Sequence, residues 1–176
     1  ILAGDGLLAF AFEILGGYVD DPAVSAAFVQ ELAIAAGPAG MIGGQVADIQ
    51  GEHQEPTPQA IRYVHERKTA SLIAAACRLG AIAAQAGSEE VSALGHYGYH
   101  LGLAFQLADD ALDATATPDQ LGKGTGKDTQ AGKQTMVRLE GLEATMRAAR
   151  QEIDQAMACL EPYAQEAEPL RALAEF

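Results

Sequence analysis

Apolar residues recur along this chain at the three- and four-residue spacing of α-helices, with glycine and proline between the repeating segments. The first predicted helix runs from Leu2 to Leu15 and stops at Gly16-Gly17. Two more follow, one from Pro22 to Ala36 and one from Ala39 to Glu52, with Gly37-Pro38 between them. The first third of the chain is therefore predicted to form three helices with short connections.

The remaining pattern predicts longer helices and one unusual loop. Thr57 is a predicted N-cap, with Pro58 in the first helical position, and this helix continues to Ala86. Ser88 caps a helix that ends near Pro118. A glycine- and lysine-rich loop spans Asp119 to Gln134, and a last helix follows it. That helix has an apolar stripe predicted to face the core: Leu139, Leu142, Met146, Ile153, Met157 and Leu160.

Composition supports an all-α fold, a bundle of long and mostly antiparallel helices. The 176 residues are 49% apolar, contain no Trp and show few runs of β-branched residues. No repeat or inter-domain linker interrupts the pattern. Residues 1–176 are therefore predicted to form a single domain or part of one.

The formal charge of −13 narrows the classes of partner. This charge argues against nucleic acid as a partner, because binding to a phosphate backbone needs a basic surface. An anionic small substrate remains open if bound cations reverse the local field. No membrane span is expected at the N-terminus, since the apolar opening contains Asp5 and Glu13. Cys77 and Cys159 lie far apart in helical patterns, which indicates reduced thiols in a cytoplasmic protein.

The segment from Phe105 to Asp113 places three carboxylates in an apolar, helix-prone sequence. At about 100° per residue, Gln106, Asp109 and Asp113 share one side of a helix, and Asp110 lies at its margin. Such oxygen ligands suit Mg²⁺, which takes one or two carboxylates and completes its shell with water and phosphate. The alternative is a solvated acidic helix face.

Two further groups have candidate chemistry. Gln45, Asp48 and Glu52 form a polar stripe on the third predicted helix, and the two glycines directly before Gln45 would allow close approach of a backbone or ligand. Lys68-Thr69 lies in the middle of the fourth, where a lysine could bind phosphate as a point charge. The alternatives are an ordinary polar stripe and a surface lysine paired along its helix.

The loop that contains Lys123 and Lys133 offers more cations and exposed backbone N–H groups that could close over a diphosphate, although such residues are also common in plain solvent loops. It does not have the GxxxxGK[ST] pattern of a P-loop. His96 and His100 could hold zinc on one helical face. That face points away from Asp109, and no third ligand is evident, so a zinc site is not favoured.

Taken in order, these segments resemble the trans-type polyprenyl (isoprenyl) diphosphate synthases, the farnesyl and geranylgeranyl diphosphate synthase family. The resemblance extends from the first residue to about Thr135 and depends on the order and spacing of several motifs. The matching motifs are Gly4-Asp5-Gly6-Leu7-Leu8, Gly43-Gly44-Gln45 with Asp48, Lys68-Thr69, Phe105-Gln106 with Asp109-Asp110 and Asp113, and Gly122-Lys123 with Gly132-Lys133-Gln134-Thr135.

The resemblance implies the isoprenoid synthase fold and Mg²⁺-dependent prenyl transfer from an allylic diphosphate to isopentenyl diphosphate. Asp109 would be a Mg²⁺ ligand, supported by Asp110 and Asp113. Lys68 and Lys123 would hold the leaving diphosphate, with Lys133 and Gln106 also near it. Thr69 and Gln106 would stabilise the developing cation, and Gln45 and Asp48 would line the cavity. A homodimer is implied as well, with the apolar helix from Leu2 to Leu15 available for an interface.

The family also has a first aspartate-rich motif and an isopentenyl diphosphate site upstream of the Gly-Asp segment, and this chain contains neither. Residues 1–176 are therefore expected to be the C-terminal portion of one polyprenyl synthetase domain, inactive alone. Smaller departures are Ala70 and Met136-Val137, where many members have Gly and Tyr-Pro. Two other interpretations stay open: a non-catalytic homologue that regulates a synthase, and a helical protein that binds a redox metal. Product chain length cannot be inferred from these residues.

Overall fold

The computed structural model describes residues 1–52, 54–115 and 135–176, and every regular element in these ranges is helical. The elements, in chain order, are α1 (Leu2–Gly17), α2 (Pro22–Ala36), α3 (Met41–Gly51), α4 (Pro58–Val64), a π-helix (His65–Ala70), α5 (Ser71–Ala83), α6 (Ser88–Thr115), α7 (Met136–Glu140), α8 (Leu142–Cys159), a 3₁₀ turn (Gln165–Ala167) and α9 (Glu168–Glu175). The predicted all-α fold is confirmed.

The predicted helix starts agree with the local chemistry. Asp21 caps α2 by accepting a hydrogen bond from the Ala23 N–H at 2.8 Å, and Pro22 occupies the first helical position. Thr57 caps α4 in the same way, through the Ala60 N–H at 3.2 Å. The predicted stop at Gly16-Gly17 comes slightly early, because α1 includes both glycines. Caps and prolines therefore located helix starts better than glycines located helix ends.

Helix α6 is the centre of the described fold. It packs against α5 and the π-helix on one side and against α8 on the other. Its Tyr97 is fully buried in a core with Ala156, Leu160, Ala167 and Ala174. The small side chains in this core let the helices approach closely, and the Tyr97 hydroxyl donates to the Leu170 carbonyl at 2.7 Å. The C-terminal helices are therefore tied to α6.

The prediction of a single last helix is wrong, because the helix is interrupted at Gly141. This glycine has a φ of +86°, a left-handed conformation that disfavours other residues, and it separates α7 from α8. The stripe prediction also fails in part. Leu160 is buried, but Met146 is 58% exposed. The pattern identified the helical segment without revealing its break or the terminal helix α9.

Apolar side chains in α1 are much less covered than those in the core around Tyr97. No residue of α1 is buried, and Phe10 is 51% exposed.

Within the part of the chain that the structure describes, the segment Pro22–Gly51 is long and apolar enough to cross a membrane by length and composition alone. However, α2 has 15 residues and α3 has 11, each short of the ~20 needed to span a bilayer. The absence of a membrane span therefore stays a prediction.

Candidate functional site

Asp48 and Lys68 meet because two helices touch at a glycine. A Cβ on Gly44 would lie 2.2 Å from the Lys68 backbone nitrogen, so only glycine permits this crossing of α3 and the π-helix. One turn further along α3, the Asp48 carboxylate lies 2.6 Å from the Lys68 ammonium. The carboxylate is 16% exposed and the lysine 30% exposed, so the pair is partly shielded from water. The predicted close approach at the glycine pair is confirmed at Gly44.

Thr69 and Gln106 meet through a second glycine contact. A Cβ on Gly102 would lie 2.5 Å from the Ala70 Cα, so α6 can pack directly on the π-helix backbone. One turn later along α6, the Gln106 side-chain oxygen accepts a hydrogen bond from the Thr69 hydroxyl at 2.9 Å. The Gln106 amide in turn contacts the Asp109 carboxylate at 3.4 Å. The two helix crossings therefore bring Asp48, Lys68, Thr69, Gln106 and Asp109 into one region.

The π-helix lies between these two crossings. Its hydrogen bonding has the wide spacing of this element, since the Ser71 N–H bonds to the Glu66 carbonyl five residues earlier. Lys68 reaches α3 while the next residue, Thr69, reaches α6. Short π segments inside α-helices occur often at functional sites. The sequence predicts an uninterrupted α-helix here, and the segment HERKTA contains no glycine or proline that would mark the switch to a π-helix.

The structure gives less information about the other predicted site residues. Gln45 and Asp113 are exposed, on the helices that contain Asp48 and Asp109. Their roles stay predictions. Lys123 and Lys133, with the glycine-rich loop that contains them, lie outside the described residues.

Asp110 is placed differently from its neighbour Asp109. It is 3% exposed, lies 3.4 Å from the His65 Nε2 atom, and accepts a hydrogen bond from the Met136 N–H at 3.2 Å. The sequence prediction that Asp110 supports a metal ion stays untested, and these contacts favour a structural role. His65 was not singled out from the sequence, because a lone histidine within a helix has no distinguishing signal.

A polar network joins the π-helix to α8 behind this region. The Tyr99 hydroxyl donates to Glu66 at 2.7 Å, and the His100 ring nitrogen lies 2.7 Å from Glu152. Burial raises the pKa of the Tyr99 phenol, and its hydrogen bond to Glu66 raises it further. His100 therefore has a carboxylate partner across the helix interface, which explains its position without a zinc ion.

A cavity of about 370 Å³ opens near this network, lined by residues that include Arg67, Arg78, Ser92 and His96. Neither Lys68, Thr69, Gln106 nor Asp109 lines it. Its two arginines already have partners, since Arg67 donates to the Ala39 carbonyl and Arg78 pairs with Glu31 at 2.7 Å. This cavity is therefore separate from the candidate site.

The oxygen donors at the site fit Mg²⁺ as a partial shell. Asp109 offers a half-buried carboxylate beside the amide of Gln106, and the Lys68 ammonium on the π-helix is paired with Asp48. Within the ranges described above, no group of three or more His, Cys, Asp or Glu side chains is arranged to hold a metal ion. Mg²⁺ does not need such a cage, because it retains waters and binds substrate phosphate. The residues present fit a metal ion whose remaining coordination positions are filled by water and a diphosphate.

Comparison with known proteins identifies the family. The sequence model of the polyprenyl synthetase family matches residues 1–174. The chain belongs to this family. Farnesyl diphosphate synthase of Escherichia coli strain K12 is 41% identical over 184 residues, which cover 100% of this chain and 61% of that protein. The Bacillus subtilis strain 168 farnesyl diphosphate synthase is 42% identical over 147 residues, covering 81% of this chain and 49% of that one.

Solved structures of polyprenyl synthetases support the fold. A farnesyl/geranylfarnesyl diphosphate synthase from Zymomonas mobilis superimposes with a TM-score of 0.82 at 36% identity, over 99% of this chain and 59% of that one. A Helicobacter pylori geranyltransferase, complexed with magnesium and isoprenyl diphosphate, gives a TM-score of 0.80 at 30% identity, over 98% and 55%. This chain spans about half to three fifths of the length of these relatives.

Proposed function

We propose that this polyprenyl synthetase chain supplies one wall of a prenyl-transfer site, which joins an allylic diphosphate to isopentenyl diphosphate. The observation that supports this proposal most is the convergence of Lys68, Thr69, Gln106 and Asp109 at two glycine-mediated helix crossings. The second wall, with the first aspartate-rich motif and the isopentenyl diphosphate site, would come from residues outside this chain.

The reaction begins when the C–O bond of the allylic diphosphate breaks and leaves an allylic carbocation. The Lys68 ammonium would bind the departing diphosphate, which takes the electron pair of the broken bond. In the structure that ammonium is held by Asp48 at 2.6 Å, so Asp48 keeps it oriented before the substrate arrives. Mg²⁺, held by Asp109 with help from Asp113, would supply further positive charge to the leaving diphosphate.

The carbocation then needs neutral oxygen dipoles that lower its energy without trapping it. The Thr69 hydroxyl uses its hydrogen in the bond to Gln106, so the remaining lone pairs of its oxygen are available to face a cation. Gln106 contributes an amide oxygen that is neutral as well. The double bond of isopentenyl diphosphate attacks the cation, and loss of a proton completes a chain that is one isoprene unit longer.

The experiment measures transfer of labelled isopentenyl diphosphate into extended prenyl products, with an allylic diphosphate and Mg²⁺ supplied. We expect turnover from the whole polypeptide that contains these residues, loss of turnover with a chelator, and recovery when Mg²⁺ is restored. Residues 1–176 alone should give no product. Turnover by residues 1–176 at the rate of the whole protein would show that no second wall is needed.

The competing function is a non-catalytic helical homologue that regulates a synthase. It predicts that the protein binds a partner synthase and changes its product or rate, while having no turnover in any form. We also propose a homodimer in which the exposed apolar side chains of α1 are covered, and sedimentation of the purified protein tests that assembly.

A further inference from the structure

Asp110 has a carboxylate that is committed to protein contacts. Its side chain is 3% exposed and that of His65 is 7% exposed, and the nearest atoms of the two are 3.4 Å apart. The same Asp110 oxygen also accepts the Met136 N–H. A buried carboxylate is costly unless it is paired, and removing one partner strands the other. We call His65 and Asp110 the buried pair.

The buried pair connects three parts of the site. His65 belongs to the π-helix, three residues before Lys68, and Asp110 follows Asp109 directly on α6. Met136 is the first residue of α7, whose short helix also contacts α4. A change at the buried pair would therefore alter the spacing among all three.

The positions of the two neighbouring aspartates argue against a shared metal role. Successive residues of a helix are about 100° apart, and here Asp109 is half-buried beside Gln106 while Asp110 points toward His65 and α7. Mg²⁺ ligands must share their shell with water and phosphate, which a carboxylate enclosed by protein cannot do freely.

We infer that Asp110 acts with His65 as a positioning residue, which holds the start of α7 against the π-helix so that the diphosphate-binding groups keep their spacing. This inference rests on the proposed function. It assigns Asp109 and Asp110, which are adjacent and chemically identical, to different tasks. Asp109 contacts the metal and Asp110 sets the positions of the elements around it.

The test compares Asp109→Asn, Asp110→Asn and Asp110→Leu in the purified whole protein, with inorganic diphosphate as the calorimetric probe. Asp109→Asn should raise the Mg²⁺ concentration for half-maximal diphosphate binding at least about tenfold. Asp110→Asn should change it less than about threefold, because the amide oxygen can take the place of the carboxylate oxygen that faces both partners and accept the Met136 N–H and an Nε2–H of His65. An increase as large as that of Asp109→Asn would overturn the inference.

Asp110→Leu separates positioning from metal binding. Leucine keeps the number and branching of the side-chain heavy atoms but has no acceptor, so the diphosphate dissociation constant at saturating Mg²⁺ should rise about tenfold while the Asn variant recovers the wild-type value. A dissociation constant unchanged in Asp110→Leu would contradict the positioning role. If the Leu variant does not fold, the Mg²⁺ titrations of the two Asn variants still decide.

Failure of the proposed function can be distinguished from failure of this inference. If the wild-type protein binds no diphosphate with Mg²⁺, the proposed function fails. The buried pair is then tested by thermal unfolding of His65→Leu, Asp110→Leu and the double variant. If the two side chains stabilise the fold as a pair, the melting temperature of the double variant should be no lower than that of the less stable single variant. Additive losses would show that the two side chains are independent.

Discussion

One stripe of helix α6 has two halves with different tasks. In the N-terminal half the stripe consists of Gly95, Gly98 and Gly102, and an added Cβ would lie within 3.0 Å of atoms of α5 or the π-helix at each of them. In the C-terminal half the same stripe continues as Gln106, Asp109 and Asp113. The glycines permit close packing, whereas the polar residues contact other site residues or are exposed.

The difference indicates how a helical bundle builds a site from one face. Close packing at the glycines fixes the orientation of α6 and thereby the direction in which the side chains one or two turns later point. Changes in the polar half should therefore reduce function while leaving stability nearly intact. Changes in the glycine half should reduce stability first, and function through displacement.

The largest effect is expected from Asp109→Ala. Removing the predicted Mg²⁺ ligand should lower turnover of the whole polypeptide in the proposed prenyl transfer on the order of 10³-fold, or ~4 kcal/mol of transition-state stabilisation. The melting temperature should stay within about 2 °C, because the side chain is not in the core. Glu89→Ala removes the same charge from an exposed position at the start of α6 and is the matched control. Steady-state kinetics that show an unaffected rate would remove the metal role.

Lys68→Ala should weaken binding of the allylic diphosphate about a hundredfold, or ~2.7 kcal/mol, since it deletes a point charge from the leaving group. The dissociation constant for an uncleavable allylic diphosphate analogue measures this effect. Arg147→Ala, at a side chain 69% exposed on α8, controls for the loss of one positive charge. Equal weakening in both variants would mean that only net charge matters.

Much of this site could be predicted from the sequence because helical spacing determines which residues share a face. That Gln106, Asp109 and Asp113 share a stripe needed only the 100° rotation per residue, whereas the roles of Lys68 and Thr69 came from the resemblance to the family. The cap at Thr57 needed only local backbone chemistry. Such signals depend only on residues that are close in the sequence, so they can be identified without a structure.

Other features depend on which distant elements meet. The burial of Asp110 follows from the position of Met136, and no local pattern distinguishes it from Asp109. The π-helix likewise lies where α3 and α6 both pack against it, and its own residues contain no glycine or proline that would mark it. The spacing of Gly95, Gly98 and Gly102 is a further signal for close helix packing, which the apolar pattern alone does not include.

Gly102→Ala should destabilise the protein by about 2 kcal/mol, because its Cβ would lie 2.5 Å from the Ala70 Cα. The urea midpoint measures this effect. Gly80→Ala is the matched control, since no atom lies within 4 Å of its added Cβ, and it should stabilise α5 by ~0.5–1 kcal/mol. Loss of stability in both variants would mean that helix propensity, and not the close contact, explains the glycines.

The smallest effect concerns Tyr97, on the face of α6 that packs into the core. Burial raises the pKa of its phenol to about 12. The folded state thus binds this proton more tightly, and the resulting stability is present below pH 10 and is lost between pH 10 and 12. Tyr97→Phe deletes both this dependence and the hydrogen bond to Leu170, so it should cost ~1 kcal/mol at pH 8 and less at pH 11. Urea unfolding at both pH values measures the difference in unfolding free energy between wild type and Tyr97→Phe, with the variant Tyr18→Phe at an exposed tyrosine as control. A difference that increases with pH would contradict the raised pKa and the exclusion of water from this face.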